Sequence, residues 1–292
     1  MSADELIPFM RGADAVVTWF CDKIDERVIE GAGPRVKVLA NFAVGYDNID
    51  LKAAAARNII VTNTPDAVTE GTADMAFTLL LAASRRLVHA DRFVRSGAWR
   101  AHGILGPAEF MGLAPAGRTL LIVGAGRIGY ATALRSIGWG MRVLYTARSP
   151  KPNFEAAPLN GRRVEIDEGL AQADYVSVHT PLTPETRHII DARRLALMKP
   201  SAVLVNTSRG PTVDEAALVE ALRSGRLAAA GLDVFEREPE LAPGLAELDN
   251  VVFAPHIGSA TTDSRKMMVD LTAANIRAVL NGKPALTPVR TG

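Results

Sequence analysis

The sequence of 292 residues predicts an α/β protein with two domains, because one domain commonly takes about 150 residues. Short apolar runs recur along the chain, and most are continuous β-branched or aliphatic residues, as expected for parallel strands covered on both faces. Stretches of helical periodicity lie between these runs, an alternation typical of parallel sheets flanked by helices. A glycine-rich pattern that directly follows one run indicates where a ligand binds.

The predicted elements follow one another in strand–helix order. Asp214 and Gly225 occupy the positions of an N-cap and of a C′ glycine around one of the helices. The predicted strands are Ala15–Thr18, Val36–Ala40, Ile59–Thr62, Thr119–Val123, Arg142–Tyr145, Tyr175–Val178, Ala202–Asn206, Ala229–Val234 and Val251–Ala254. The predicted helices are Asp4–Met10, Glu70–Arg85, Ile128–Gly138, Asp214–Ser224 and Ser264–Leu280.

Composition excludes several classes of protein. The 33 basic and 32 acidic residues give a net charge of +1, which argues against a nucleic-acid or membrane-surface binder. The single cysteine, Cys21, rules out an internal disulfide and a cysteine metal cage, and it fits a reducing compartment. The longest apolar segment, Met75–Ala83, is far shorter than the roughly 20 residues that a membrane helix needs. We therefore expect a cytoplasmic protein with no metal site.

The motif Gly124-Ala-Gly126-Arg127-Ile128-Gly129 predicts a dinucleotide site in a Rossmann doubly wound parallel sheet. The first glycine permits a tight turn, the second lets backbone amides approach a pyrophosphate, and the third allows close helix–strand packing. An ordinary strand-to-helix turn is the alternative. The strand before the motif, the helix after it and the second strand beyond favour the dinucleotide.

The end of that second strand predicts which dinucleotide is preferred. Sites that prefer NAD place an acidic residue there to bind the ribose 2′-hydroxyl. The sequence instead continues Ala147-Arg148-Ser149-Pro-Lys151, in which Arg148 can pair with a 2′-phosphate and Ser149 can donate a hydrogen bond. A solvated basic loop is the alternative. The prediction is NADPH over NADH.

Four further segments carry a resemblance to a known family: 41–50, 206–210, 233–239 and 254–261. With the glycine motif, they resemble the D-isomer-specific 2-hydroxyacid dehydrogenases over essentially the whole chain. The loop after Tyr145 is most similar to the NADPH-dependent glyoxylate/hydroxypyruvate reductase branch. The resemblance implies an oxidoreductase that reduces a small 2-keto acid to the D-2-hydroxy acid.

The resemblance also implies a catalytic set of Arg209, Glu238 and His256. A keto acid needs a cation for its carboxylate and keto oxygen, which the guanidinium of Arg209 supplies. It needs a proton donor as hydride arrives, a role for which imidazole is suited, and His256 matches that position. A carboxylate beside the histidine favours the protonated ring, and Glu238 matches that partner. His89, His102, His179 and His188 are interpreted as structural or solvent-facing.

The remaining implied site residues are less specific. Backbone amides around Val44 and Gly45 would bind the substrate carboxylate, and Arg209 and His256 would also contact the substrate. The implied cofactor-binding residues beyond the glycine motif and Arg148-Ser149 are Thr72, Thr180, Pro181, Thr207, Asp233 and Gly258.

Two alternatives to a glyoxylate/hydroxypyruvate reductase stay open for the function. Some members of the branch bring an aromatic side chain to the substrate from the stretch matching 101–112, where Phe110 is the only aromatic here. A 2-ketogluconate-type reductase is therefore an alternative to a hydroxypyruvate reductase. A dinucleotide-sensing, corepressor-like binding protein shares the same motifs and is the alternative outside enzymes.

The domain order is predicted to be interrupted. Residues 1–94 and 264–292 are assigned to a flavodoxin-like substrate domain, and residues 95–263 to the Rossmann domain inserted into it. The substrate domain looks short at its N-terminus, since family members begin with further strand–helix units; truncation is favoured over an edge covered by another chain. By kinship we expect a homodimer, with the segment 97–117 as interface arm and with Leu105, Phe110, Met111 and Leu113 exposed in the single chain.

Overall fold

The structure is a computed structural model, and it describes residues 2–289. The chain separates into two compact units: unit 1 comprises residues 1–71 and 259–292, and unit 2 comprises residues 72–258. All strand pairs in the sheets of both units are parallel, so the predicted α/β class is confirmed. No helix within residues 2–289 is long and apolar enough to cross a membrane.

Unit 1 is built on a three-stranded sheet in the order β1-β2-β3. Its apolar core collects side chains such as Leu6, Ile29 and Leu39, and Val279 from the last helix packs on the other face of β2. The strands are β1 (Ala15–Thr18), β2 (Val38–Asn41) and β3 (Ile60–Thr62), and the helices are α1 (Ala3–Met10), α2 (Glu26–Gly31), α3 (Leu51–Ala56) and α12 (Thr262–Leu280).

Unit 2 contains a seven-stranded sheet in the order β10-β9-β8-β7-β4-β5-β6. The strands are β4 (Thr119–Val123), β5 (Arg142–Thr146), β6 (Arg162–Arg163), β7 (Tyr175–Val178), β8 (Val203–Asn206), β9 (Ala229–Leu232) and β10 (Val251–Phe253). Successive β4 residues enter two different apolar clusters, so both faces of the sheet are covered. The strand order reverses between β4 and β7, and ligands of such sheets bind at the carboxyl ends beside that point.

The helices of unit 2 cover both faces of this sheet. They are α4 (Thr69–Ser84), α5 (Leu87–Arg95), α6 (Ala98–His102), α7 (Arg127–Arg135), α8 (Pro152–Glu155), α9 (Ile166–Gln172), α10 (Ala192–Leu195) and α11 (Glu215–Arg223). The last three residues of the first segment of unit 1 also belong to α4. Short 3₁₀ turns occupy Ser136–Trp139 and Gly210–Thr212.

The predicted domain boundaries fall at 94/95 and 263/264, whereas the compact units change at 71/72 and 258/259. Side chains of α4 such as Ala76, Phe77 and Leu80 pack into one of the two clusters against the large sheet, which explains why most of that helix belongs to unit 2. The outermost predicted limits, residues 1 and 292, lie outside the described residues.

The predicted strands are confirmed to within two residues at either end, but β6 was missed. That strand is only Arg162-Arg163, both exposed at the sheet edge, so no apolar run marks it. The predicted helix 128–138 ends earlier, at Arg135, where a 3₁₀ turn takes over. The caps of α11 are confirmed: the Asp214 side chain accepts the Ala217 N–H, and Gly225 has a φ of +72°.

Candidate active site

The glycine loop after β4 is built as the motif predicts. Gly124 has a φ of +101°, and a Cβ there would lie 2.8 Å from the carbonyl carbon of His179 and from the Thr180 nitrogen. A Cβ on Gly129 would lie 2.4 Å from the Gly124 carbonyl oxygen, so only glycine allows α7 to pack this closely. Gly126 precedes the first helical residue of α7, and a Cβ there would meet open space. The loop therefore presents the N-terminus of α7, beginning with Arg127 and Ile128, to a ligand phosphate.

Two buried hydroxyls fit a polar ligand beside this loop. Among the described residues, the Thr180 and Thr207 Oγ1 atoms are buried without a hydrogen-bond partner. Thr180 lies just after β7 and Thr207 just after β8, at the carboxyl ends where the strand order places a cofactor. Buried hydroxyls are normally hydrogen-bonded, so a bound dinucleotide with many polar groups suits them. Pro181 follows, and its carbonyl accepts a hydrogen bond from the Thr186 hydroxyl at 2.6 Å.

The loop after β5 is braced from two sides. The Tyr145 hydroxyl accepts the Lys151 N–H at 2.8 Å and bonds the Glu155 carboxylate at 2.5 Å. On β6, Arg163 donates to the carbonyls of Ala147 at 2.9 Å and of Arg148 at 3.2 Å. Sequence reasoning missed Arg163, because its partners are carbonyl oxygens that leave no pattern in the sequence.

No carboxylate stands where β5 ends; the chain continues Ala147-Arg148-Ser149. The side chains of Arg148 and Ser149 are both exposed at this position. The pKa of Glu185 is lowered, by the Thr183 hydroxyl and a backbone amide and, more weakly, by the charge of Arg148. The charge of Arg148 therefore acts on the loop that follows Pro181.

A histidine–carboxylate pair lies beyond β9 and β10. His256 Nδ1 is 2.7 Å from Glu238 Oε2, and each side chain is about a quarter exposed, at 22% and 27%. His256 has a φ of +55°, a left-handed conformation that is uncommon for a residue with a side chain. The pair has the geometry in which a carboxylate orients an imidazole and favours its protonated form.

Asp233 holds the backbone around His256 in that conformation. Its carboxylate accepts the N–H groups of Ile257 and Gly258, both at 2.8 Å, and its carbonyl accepts the His256 N–H at 2.8 Å. Burial raises the pKa of Asp233, and the two amides and the nearby His256 act against that rise. A Cβ on Gly258 would lie 3.0 Å from Asp233 Oδ2 and 3.3 Å from Thr72 Cγ2. Thr72, Asp233 and Gly258, predicted as cofactor residues, are thus brought together.

Arg209 follows β8 on a turn that side chains hold closed. Its carbonyl accepts hydrogen bonds from Asn206 Nδ2 at 3.0 Å and from the Thr212 hydroxyl at 2.7 Å. The next residue, Gly210, lies directly against residues 235–238, which we call the acid turn because it ends in Glu238. A Cβ on Gly210 would be only 1.9 Å from the carbonyl carbon of Phe235. The half-buried Arg209 and the acid turn are therefore fixed to each other through backbone contact.

Unit 1 contributes a different feature, the loop at residues 43–45, which we call the amide loop. Asn63 Nδ2 donates to the Val44 carbonyl at 2.8 Å, and Asn41 Nδ2 donates to the Gly45 carbonyl at 2.7 Å. The N–H groups of Val44 and Gly45 donate to no acceptor among residues 2–289. Two neighbouring N–H groups without acceptors suit a carboxylate oxygen. Sequence reasoning missed the roles of Asn41 and Asn63.

The other histidines have local partners. His89 lies 3.6 Å from Asp249, and His102 lies 2.9 Å from Glu109. Ser177 Oγ is 2.8 Å from His179 Nε2, and burial lowers the pKa of His179 to about 3. No group of three or more His, Cys, Asp or Glu side chains within the described ranges is arranged to hold a metal ion.

A glycine loop at the switch point of a parallel sheet and a histidine–carboxylate pair beyond its strand ends define a dinucleotide-dependent oxidoreductase site. The comparisons with known proteins agree. The family model for the D-isomer specific 2-hydroxyacid dehydrogenase NAD binding domain matches residues 77–258. The chain belongs to this family and is an NAD(P)-dependent oxidoreductase whose cofactor is a nicotinamide dinucleotide.

Relatives and solved structures match nearly the whole chain. A glyoxylate reductase of Thermococcus onnurineus is 51% identical over 284 residues, which cover 97% of this chain and 84% of that protein. The crystal structure of a Thermus thermophilus protein has a TM-score of 0.91 at 44% identity, covering 99% of this chain and 90% of that one. An NADPH-dependent glyoxylate/hydroxypyruvate reductase from Sinorhizobium meliloti, solved with NADP and malonate, has a TM-score of 0.88 at 38% identity, covering 99% and 87%.

Proposed function

We propose that this protein reduces a small 2-keto acid of the glyoxylate or hydroxypyruvate type to the D-2-hydroxy acid, with NADPH as hydride donor. The observation that carries the proposal is the His256–Glu238 contact of 2.7 Å in the same unit as the glycine loop. The name of the Thermococcus relative, glyoxylate reductase, supports a two-carbon keto acid as substrate.

In this reaction, one set of residues binds the charged groups of the substrate and another supplies the proton. When bound, the reduced nicotinamide supplies a hydride to the keto carbon. Arg209 offers a planar guanidinium for the carboxylate and keto oxygen of the substrate. His256 gives a proton from Nε2 to that oxygen as it gains charge, because Nδ1 is occupied by Glu238. Glu238 accepts the Nδ1–H and stabilises the protonated ring before the transfer. The amides of Val44 and Gly45 suit the substrate carboxylate.

The preference for NADPH rests on the loop after β5. Arg148 and Ser149 stand where an acidic residue would bind the ribose 2′-hydroxyl in an NAD-preferring site. The solved relative named NADPH-dependent, which carries NADP, supports the same preference. We expect Arg148→Ala to reduce kcat/KM with NADPH by about 10- to 100-fold and to leave NADH turnover within about twofold. Arg142→Ala, an exposed arginine at the start of the same strand, is the matched control.

One observation bears on the choice among keto acids. Phe110, the only aromatic of 101–112, has its ring 5.1 Å from Phe93 and 5.1 Å from His89, with the Arg86 guanidinium 5.5 Å away. The Phe110 ring is thus engaged with side chains on and just before α5, which favours glyoxylate over hydroxypyruvate and keeps a 2-ketogluconate-type reductase as the second candidate.

Steady-state rates with glyoxylate, hydroxypyruvate, phenylpyruvate and 2-ketogluconate, each with NADPH and with NADH, test the proposal. We expect the highest kcat/KM with glyoxylate and NADPH. A highest value with 2-ketogluconate would select the second candidate. Absence of turnover on every acid, with intact dinucleotide binding, would select the corepressor-like binding protein.

We also propose that two copies of this chain associate, in the cytoplasm, through the segment 97–117 together with the preceding helix α5. No residue of α5, which is described throughout, is buried. Ile104 is 97% exposed and Met111 68%, whereas Phe110 and Leu113, expected to be exposed, are partly buried by their own neighbours. Such a run of exposed apolar side chains supports a protein partner. Light scattering at micromolar concentration is expected to give the mass of a dimer, and a monomer would contradict this proposal.

A further inference from the structure

Glu215, the first residue of α11, is a buried carboxyl group that the proposed reaction does not use. Its side chain is only 5% exposed, and its Oε1 accepts the N–H of Glu236 at 2.7 Å. Burial raises the pKa of Glu215, and the charges of Glu236 and Glu238 raise it further, while the Glu236 and Ala242 amides lower it. Burying a carboxyl group costs free energy, and hydrogen bonds to that group offset the cost.

The hydrogen bond that Glu215 accepts explains why a carboxyl group is buried here. The Glu236 amide belongs to the acid turn, and a buried amide without an acceptor would favour a different backbone path. Two further contacts hold the same turn: the Phe235 N–H donates to Glu238 Oε1 at 3.0 Å, and Glu236 Oε1 lies 2.5 Å from His188 Nε2. Glu238 Oε1 thus accepts from the turn while its Oε2 faces His256, so the conformation of the turn sets the orientation of the carboxylate.

The backbone of Gly210 also restricts the acid turn. The backbone of Gly210 approaches so closely that any movement of Phe235 and Glu236 towards it is blocked. The hydrogen bond from the Glu236 N–H ties the same turn to Glu215 on α11, whose N-terminus the Asp214 side chain caps. Glu215 therefore holds the acid turn in position through the hydrogen bond from the Glu236 N–H.

We propose that Glu215 is a positioning residue, which holds the acid turn so that Glu238 reaches Nδ1 of His256. The inference rests on the proposed function for its kinetic consequence, but its structural part concerns the His256–Glu238 contact itself. The acceptor oxygen is the operative feature, so an amide in place of the carboxylate keeps the turn in position.

Four variants test this inference. Glu215→Gln keeps an acceptor oxygen and the volume, Glu215→Asp withdraws the acceptor by one methylene, and Glu215→Ala removes it. Glu220→Ala, an exposed glutamate on the same helix, is the matched control. We expect Glu215→Ala to lower kcat for keto-acid reduction at least about 10-fold with KM within about threefold, because the group that is lost acts on the proton donor rather than on substrate binding. Glu215→Asp is expected to fall between Ala and wild type, and Glu215→Gln and Glu220→Ala to stay within about threefold of wild type.

The pH profile separates positioning from mere support of the fold. Glu238 and Asp233 are charged groups that interact with His256. Once Glu238 is misplaced, the protonated ring loses a carboxylate partner, so we expect the alkaline limb of kcat/KM to move to lower pH in Glu215→Ala. A ¹⁵N-histidine NMR titration, with the His256 signal assigned from His256→Asn, is expected to show a shift in the same direction.

Each outcome decides the matter. A lowered Tm with unchanged pH profile and His256 titration would overturn the inference, as would a Glu215→Gln variant as impaired as Glu215→Ala. If Glu215→Ala does not fold, Glu215→Asp carries the same comparison, and wild-type behaviour of that variant overturns the inference. If the wild-type protein reduces no keto acid, the proposed function fails, while the NMR titration still decides the role of Glu215.

Discussion

Replacing Gly210 by alanine tests how tightly Arg209 and the acid turn are fixed to each other. The added Cβ would lie 1.9 Å from the Phe235 carbonyl carbon, 2.0 Å from its oxygen and 2.4 Å from the Glu236 nitrogen. All three atoms belong to the backbone, so no side-chain rotation relieves the overlap. Ordinary contact between such atoms begins near 3.5 Å, and the two segments must separate by about 1.5 Å.

That separation moves the Arg209 turn away from the segment that ends in Glu238. A misplacement of about 1 Å typically costs about 100-fold in rate, or about 3 kcal/mol of transition-state stabilisation. We therefore expect Gly210→Ala to lower kcat/KM for the keto acid at least about 100-fold. The glycine loop at Gly124 lies on another strand, so the dissociation constant for the dinucleotide is expected to stay within about threefold.

Steady-state kinetics and dinucleotide fluorescence titration make this measurement. Gly138→Ala is the matched control, because a Cβ at Gly138 would meet open space and the residue has no positive φ. The control is expected to retain wild-type kinetics. A folded Gly210→Ala variant with activity within twofold of wild type would refute the reasoning that backbone contact sets the position of Arg209.

Three further predictions concern other residues of the structure. Asp233→Ala leaves the two N–H groups that follow His256 without their acceptor, so kcat is expected to fall at least about 100-fold; a near-normal kcat would contradict the role of Asp233 in holding this backbone. Asn63→Ala releases one carbonyl of the amide loop and is expected to raise KM for the keto acid about 10-fold with kcat little changed, and an unchanged KM would count against it. Burial raises the pKa of Asp174, but the Thr119 amide and Lys199 outweigh it and hold that pKa below 3.8. The ionised carboxylate therefore stabilises the fold above about pH 4, and this stabilisation is lost as pH falls. We expect Asp174→Asn to lower the free energy of unfolding by about 1–3 kcal/mol at pH 7 and by less at pH 3, measured by urea unfolding. Equal losses at both pH values would contradict this prediction.

The sheet of unit 2 was predictable because its strands are continuous apolar runs. The runs beginning at Thr119 and Tyr175 were located to the residue, since every residue of these strands is buried and apolar side chains dominate both runs. The edge strand Arg162–Arg163 could not be found, because an exposed pair of arginines carries no apolar signal. The early end of α7 at Arg135 depends on the 3₁₀ turn after it, which periodicity alone does not distinguish from a helix.

The candidate site divides in a similar way. Glycines such as Gly124 stand in a motif that can be read directly from the sequence, whereas Arg209 and His256 were predicted through the family resemblance of the segments around them. Residues that act by hydrogen-bonding to the backbone of another segment cannot be identified from the sequence in this way. Asn63 and Glu215 bond carbonyl or amide groups that are 19 and 21 positions away, and a hydrogen bond to the backbone places no demand on the partner's side chain.

The central claim is that His256, oriented by Glu238, donates the proton in a reduction by NADPH. His256→Asn tests it most directly, because asparagine tolerates the left-handed backbone that His256 adopts but cannot act as the acid. We predict that kcat/KM for glyoxylate falls by about 100- to 10,000-fold, while the dissociation constant for NADPH stays within about threefold. A variant that binds NADPH normally and reduces glyoxylate at a near wild-type rate would contradict the account.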